Sequence, residues 1–231
     1  GCVLGQGASV GAHAHLQSNV KVWPGIKVPA GAVCSEGLFR EEGNGCIWEE
    51  DGAMCRWAGC ACRLAMAFAQ AVHPKHILTG HYEAQALQTV ISGALGTVGV
   101  TVMHGGWMTE SMLREAVVAL KADGGILAAE DKLIFVDRNG RRIGNNTRRN
   151  MDALLLCNDL QESGAKNASI RPFEGARELY LSAVLPENES KAMLSPVTIC
   201  CSDSQLKELV MDGLRRLHVC NVRCVETMEA E

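Results

Sequence analysis

A glycine pair, Gly124 and Gly125, opens an apolar run that is interrupted only by Ala128-Ala129-Glu130-Asp131-Lys132 before it resumes at Leu133. Many α/β proteins place their chemistry where a strand gives way to such a loop. Leu127 to Lys132 is therefore the first stretch to weigh as an active-site loop. A second cluster is Cys55, Cys60, Cys62, His73, His76 and His81, which invites a zinc reading. Structural zinc sites pair their ligands as C-x₂₋₄-C and H-x₃₋₅-H. Here the spacings are C-x₄-C-x-C and H-x₂-H-x₄-H, only partly compatible, so no metal site is assigned. Arg138 to Arg149 could attract an anion, but the stretch reads as a solvated hairpin and helix start. Met108 and Met112 read as adaptable core filler. No Gly-rich phosphate loop, no Ser/His/Asp arrangement and no aromatic–basic interleaving is found.

Composition bounds what these residues can serve. The chain has 231 residues, 47% hydrophobic and 21% charged, with a net charge of -4. Its basic residues form no patch, so nucleic acid is not an expected partner. No apolar run approaches the roughly 20 residues that span a bilayer, and no signal-peptide pattern opens the chain, so a cytoplasmic protein without membrane contact is expected. The eleven cysteines are expected to be reduced small hydrophobes rather than a disulfide framework. Residue 1 is glycine, which suggests a start inside a longer reading frame, or a tag scar.

Two rhythms organise the chain. In residues 1–34, Leu4, Val10, Leu16, Val22 and Val28 recur every six positions, and Ala8, Ala14, Val20, Ile26 and Ala32 form a second register. Period six fits neither a helix nor a plain strand; it is the hexapeptide pattern of a β-helix, each repeat burying one aliphatic residue. So few repeats stabilise themselves poorly. Further coils upstream, or another subunit on the open end, are expected to cover the stack, with Trp23 and Pro24 at a corner. After a Gly-, Glu-, Cys- and Trp-rich stretch the rhythm becomes strand–helix–strand. His76–Thr79, Val100–Met103, Gly125–Ala128 and Leu133–Val136 read as strands. Leu87, Val90, Ile91, Ala94, Leu95 and Val98 trace one helix face; Leu113, Ala116, Val117 and Leu120 trace another, with Thr109 as N-cap. Asn139-Gly140 is a hairpin signal. The alternation predicts an α/β layer with a largely parallel sheet. Glu174–Leu185 suits a helix, Val197–Cys201 a strand and Val219–Val225 another. Between them a helix starts near Asp203, with Leu206, Leu209, Val210, Leu214 and Leu217 inward.

The order of these parts resembles a known family. Ser18–Val33 ("SNVKVWPGIKVPAGAV") is similar to the C-terminal β-helix of mannose-1-phosphate guanylyltransferase-like sugar-1-phosphate nucleotidyltransferases. In one branch an α-D-phosphohexomutase-like region (phosphomannomutase and phosphoglucomutase) follows it. Residues 63–143 look like the first α/β/α domain of that mutase, through "LAMAFAQAV", "HILTGH", "VISGALGTVGVTVMHGG", "LKADGGI" and "FVDRNGRRI". Residues 196–225 are similar to the opening βαβ of the second. The resemblance implies a short left-handed hexapeptide β-helix over 1–36, a linker over 37–62, a phosphohexomutase domain I-like unit over 63–185 and a partial domain II-like unit over 186–231.

The departures from the family matter most. Its phosphoserine loop, typically Thr-x-Ser-His-Asn-Pro, should follow Gly124-Gly125-Ile126. Between Ile126 and Asp137 this chain has no serine, threonine, histidine or cysteine. Phosphoryl transfer through an enzyme-bound phosphate needs a nucleophile held in line. A carboxylate could serve, as in aspartyl-phosphate enzymes, but no supporting partner is visible, so Glu130 and Asp131 read as a solvated turn. Where the family commonly has Gly-Arg-Asp, this chain has Gly80-His81-Tyr82. His81 could hydrogen-bond a phosphate without arginine's planar fork, but it reads as a surface-loop histidine. Arg56, with Gly59, is a loose counterpart of the arginine that opens the mutase region. The Asp-Gly-Asp-x-Asp-Arg magnesium loop and the third and fourth domains are not found. Mg²⁺ is thus expected only of an intact family member, and no cofactor of this chain.

The resemblance implies the distal part of a bifunctional-type nucleotidyltransferase/phosphohexomutase-like protein, with its mutase part inactive. The alternative is a non-catalytic assembly or sugar-phosphate-sensing module. Arg56, Gly80, His81, Glu130, Asp131 and Lys132 are the candidate contacts to a sugar phosphate, none of them catalytic. Self-association through the β-helix is the expected protein contact.

Overall fold

The computed structural model describes residues 1–18, 20–22, 24, 27–28, 30–34, 38–39, 47–55, 57–157, 160, 168–185, 196–219 and 221–225. The chain is mixed α/β and divides into two compact units, Gly1–Phe173 and Glu174–Glu231. Among the described residues there are six helices, none long and apolar enough to cross a membrane.

The N-terminal repeats form two-residue strands: β1 (Val3–Leu4), β2 (Ser9–Val10), β3 (His15–Leu16), β4 (Lys21–Val22), β5 (Lys27–Val28), β6 (Val33–Cys34) and β7 (Leu38–Phe39). None pairs with its neighbour in sequence. Instead β1 pairs with β4, β2 with β5 and β3 with β6, all parallel and each three hexapeptides apart. Stacking one turn on the next puts like residues in register, Leu4 on Val22 and Val10 on Val28. The stack buries only its second turn. Val20, Val22 and Val28 are at most 2% exposed, whereas Leu4 is 51% and Val10 40% exposed. In the first turn Ala8, Ala14 and Leu16 pack partly buried against this cluster, while Leu4 and Val10 stay exposed.

The main sheet has six strands in the order β13-β10-β9-β11-β12-β8. They are β8 (Ala53–Met54), β9 (His76–His81), β10 (Thr101–Trp107), β11 (Gly124–Ala128), β12 (Lys132–Asp137) and β13 (Ile170–Pro172). The strands from β13 to β11 run parallel; β12 and β8 are antiparallel to their neighbours, so the sheet is mixed rather than largely parallel. The stretch read as a linker supplies the edge strand β8. It also supplies Trp48, whose ring stands 6.1 Å from Phe135.

Helices cover both faces because strand residues alternate between them. On one face lie α1 (Ala58–Val72), α2 (Gln85–Thr97) and α4 (Asn145–Cys157), packed with Ile77, Val102, Ile126, Leu133 and Phe135. The small residues of α1 let it sit close, with Phe68 5.1 Å from Phe135 between ring centroids. On the other face α3 (Glu110–Ala119) presents Met112, Leu113, Ala116 and Val117, all buried. Thr109 caps it, its hydroxyl accepting from the Met112 N–H at 3.3 Å as the sequence suggests.

The second unit contains α5 (Ala176–Val184), β14 (Val197–Cys200), α6 (Ser204–Arg216) and β15 (Val222–Val225). β14 and β15 pair in parallel, and Asp203 caps α6 by accepting from Gln205 and Leu206 N–H at 2.8 and 3.1 Å. α5 lies in the same compact unit as the β14–α6–β15 segment. Val210, expected inward, is 38% exposed; the buried positions of α6 are Leu209 and Gly213.

Candidate functional site

The stretch after the glycine pair is a tight hairpin. β11 and β12 pair from Gly124–Asp137 to Ala128–Leu133, and Ala129 N–H donates to the Lys132 carbonyl at 2.9 Å. Leu127 and Ala128 are buried strand residues, leaving Glu130 and Asp131 exposed as the turn itself. The glycines are there for packing. A Cβ on Gly125 would lie 2.8 Å from Val117 and 3.0 Å from Leu113, and one on Gly124 would lie 2.7 Å from the Val136 carbonyl. Lys132 Nζ donates to Asp51 Oδ2 at 2.5 Å. That hydrogen bond and its charge pairing hold Asp51 below the usual carboxylate range and raise Lys132.

Gly80 and His81 are the last two residues of β9, not part of a surface loop. Gly80 is required because a Cβ there would meet the Met108 side chain. His81 is half-buried and points to α2, where its Nδ1 lies 2.6 Å from Gln88 Oε1. This corrects the loop reading: the strand runs two residues further because Tyr82 N–H still bonds the Ala128 carbonyl at 2.8 Å. Register also pairs His81 with Ala128, so the histidine and the Glu130–Asp131 turn lie at the same end of the sheet. Arg56 lies outside the described residues.

His81 ends a buried polar line that motif reading missed. Gln88 Nε2 donates to the Thr79 carbonyl at 3.0 Å, which turns its Oε1 toward His81 and requires a proton on His81 Nδ1. Ser92 donates to the Gln88 carbonyl at 2.9 Å. Its oxygen stands 3.0 Å from Thr79 Oγ1 and 3.1 Å from His104 Nδ1. The Thr79 hydroxyl also reaches the Met103 carbonyl at 3.5 Å. Burial, and then the charge of nearby His81, hold His104 below the ordinary histidine range. A Gly105–Gly106 irregularity follows, Gly106 at φ +67°, and brings Trp107 within 6.0 Å of Tyr82 at this edge.

This arrangement can accept protons at two neutral imidazoles, or donate to an anion once they are charged. It is not a nucleophilic Ser–His dyad. Ser92 is 2% exposed and its hydroxyl is saturated by three partners. Among the described residues no group of three or more His, Cys, Asp or Glu is placed to hold a metal. Two arginines of the 138–149 stretch are engaged. Arg142 makes two 2.7 Å bonds to Glu110, and the Arg148 guanidinium lies 5.2 Å over Trp48. In the second unit a groove is lined by Arg177, Lys207, Glu208, Asp212 and Arg215. Its charges pair with one another, Arg177 with Asp212 at 3.2 Å and Arg215 with Asp212 at 2.9 Å.

The sequence signal for the polar line was the i, i+4 pair Gln88 and Ser92 on an otherwise apolar helix face. Comparison of the chain with models of known protein families and with curated proteins found no match.

Proposed function

We propose that this chain is the distal part of a sugar-1-phosphate nucleotidyltransferase/phosphohexomutase-like protein of the cytoplasm, in which mutase turnover has been lost. In this reading residues 1–36 are hexapeptide β-helix coils, and the α/β/α layer corresponds to a first mutase domain. The pairing of strands three hexapeptides apart supports the β-helix. One observation carries the loss of turnover. β11 returns into β12 over Ala129, Glu130 and Asp131 only, a connection with no hydroxyl for a phosphorylated loop.

A second reading, a sugar-phosphate-sensing module, is favoured by His81. Its ring is oriented by Gln88 at the carboxyl end of a central parallel strand, where α/β sheets bind ligands. Both readings are tested by titrating glucose 1-phosphate and mannose 1-phosphate into the protein while following histidine side-chain resonances. Sensing predicts shifts at His81 and His104 with the sugar phosphates unchanged. Unmoved resonances at millimolar ligand would remove the sensing reading; conversion to the 6-phosphate would remove the claim of lost turnover.

A further inference from the structure

Two cysteines flank the junction between the edge strand β8 and the first turn of α1. Cys55 ends the strand segment, its N–H donating to the Asp131 carbonyl at 2.6 Å, and its thiol reaches the Trp57 carbonyl at 3.7 Å. Cys60 is the third residue of α1, with its thiol 3.6 Å from the Met54 carbonyl. Both thiols thus reach backbone carbonyls of the Met54–Trp57 segment. Cys55 is fully buried while Cys60 is half-exposed.

We propose that Cys55 and Cys60 form a peroxide-oxidisable dithiol, with Cys60 as the attacking thiolate and Cys55 as the thiol that resolves it into a disulfide. The electrostatics suit those roles. The hydrogen bond from Cys55, and then the positive charge of Arg63, bring the Cys60 thiol down to about 7 against the opposing effect of burial. The first turn of a helix also favours a thiolate. Cys62, two residues on in the same helix, makes a 4.0 Å contact to Met66 instead.

The oxidant is a hydroperoxide, ROOH. The Cys60 thiolate attacks its terminal oxygen; an S–O bond forms, the O–O bond breaks, and the alkoxide leaves and takes a solvent proton as ROH. Cys55 then attacks the sulfenic sulfur. The S–S bond forms, the S–O bond breaks, and hydroxide leaves as water with the Cys55 proton. Two thiols and ROOH give one disulfide, ROH and water, and a dithiol reductant reverses the oxidation.

The test treats the whole reduced protein with one equivalent of hydrogen peroxide, blocks remaining thiols and maps tryptic peptides by tandem mass spectrometry. Cleavage after Arg56 separates the two cysteines, so their disulfide joins two peptides. The expected product is a Cys55–Cys60 cross-link, with iodoacetamide modifying Cys60 in the reduced protein roughly tenfold faster than Cys62. Cys55→Ala should let a sulfenic acid at Cys60 persist long enough for dimedone to trap it. If that buried variant fails to fold, the wild-type map alone decides. Oxidation spread over exposed Cys2, Cys200 and Cys224 without a Cys55–Cys60 link would overturn the proposal. So would direct passage of Cys60 to sulfinic acid in the wild type.

Discussion

Lys132 Nζ lies 2.5 Å from Asp51 Oδ2, joining the start of β12 to the chain that leads into the edge strand β8. The Lys132 amine thereby fastens the hairpin to the segment before β8. Both groups are partly exposed, 26% and 32%, so screening keeps the pair to about 0.2–1 kcal/mol. Asp51→Asn should cost no more than that in urea unfolding at pH 7. Its folded-state carboxyl is lowered, so its contribution is present above the unfolded carboxylate value and is lost as pH falls through the folded one. The difference between wild type and variant should therefore shrink in acid.

The glycine pair has a packing explanation with a direct consequence. A Cβ on Gly125 would press Val117, Leu113 and Val136 together on the α3 face. Gly125→Ala should destabilise the protein by about 1–3 kcal/mol in chemical denaturation, the usual cost of overfilling a packed layer. A neutral substitution would show that α3 sits further from β11 than described.

Ser92 serves three partners in a buried site. Ser92→Ala removes the buried hydroxyl that contacts His104 Nδ1 and Thr79 Oγ1, which should cost about 1–3 kcal/mol by equilibrium unfolding. Ser92→Thr, which keeps the hydroxyl, should recover part of that loss.

His104 gives stability a pH dependence of known sign. Burial, and then His81, lower its folded-state pKa, so the unfolded chain binds the proton more readily. Its contribution is complete above the unfolded value near 6.5 and declines as pH falls from there toward the folded value. His104→Gln should flatten the slope of unfolding free energy against pH in that window. An unchanged slope would mean that His104 titrates as a solvated ring.

How far the sequence reached depended on the length of each element. α2, α3 and α6 are thirteen, ten and thirteen residues long and bury a face at helical spacing, so their apolar residues announce them. β8 has two residues and β13 three, too few for any period, and their places come from pairing with distant strands. Hexapeptide spacing pointed to repeats that each bury an aliphatic residue, but the pairing partners of the strands came only with the structure. The loop's lack of a hydroxyl was legible residue by residue. The polar line was not, because Thr79, Gln88, Ser92 and His104 come from three elements and meet only when β9 and β10 pair. Likewise His81 resembled a loop residue until the strand's last hydrogen bonds were placed.

The central claim is that the β11–β12 hairpin replaces a phosphorylated loop. The most direct measurement follows glucose 1-phosphate and mannose 1-phosphate by ³¹P NMR with this protein, Mg²⁺ and the matching hexose 1,6-bisphosphate. The account predicts no 6-phosphate above the protein-free control and no phosphate on the protein by intact mass. Accumulating 6-phosphate, or a phosphoryl group on Glu130 or Asp131, would contradict it.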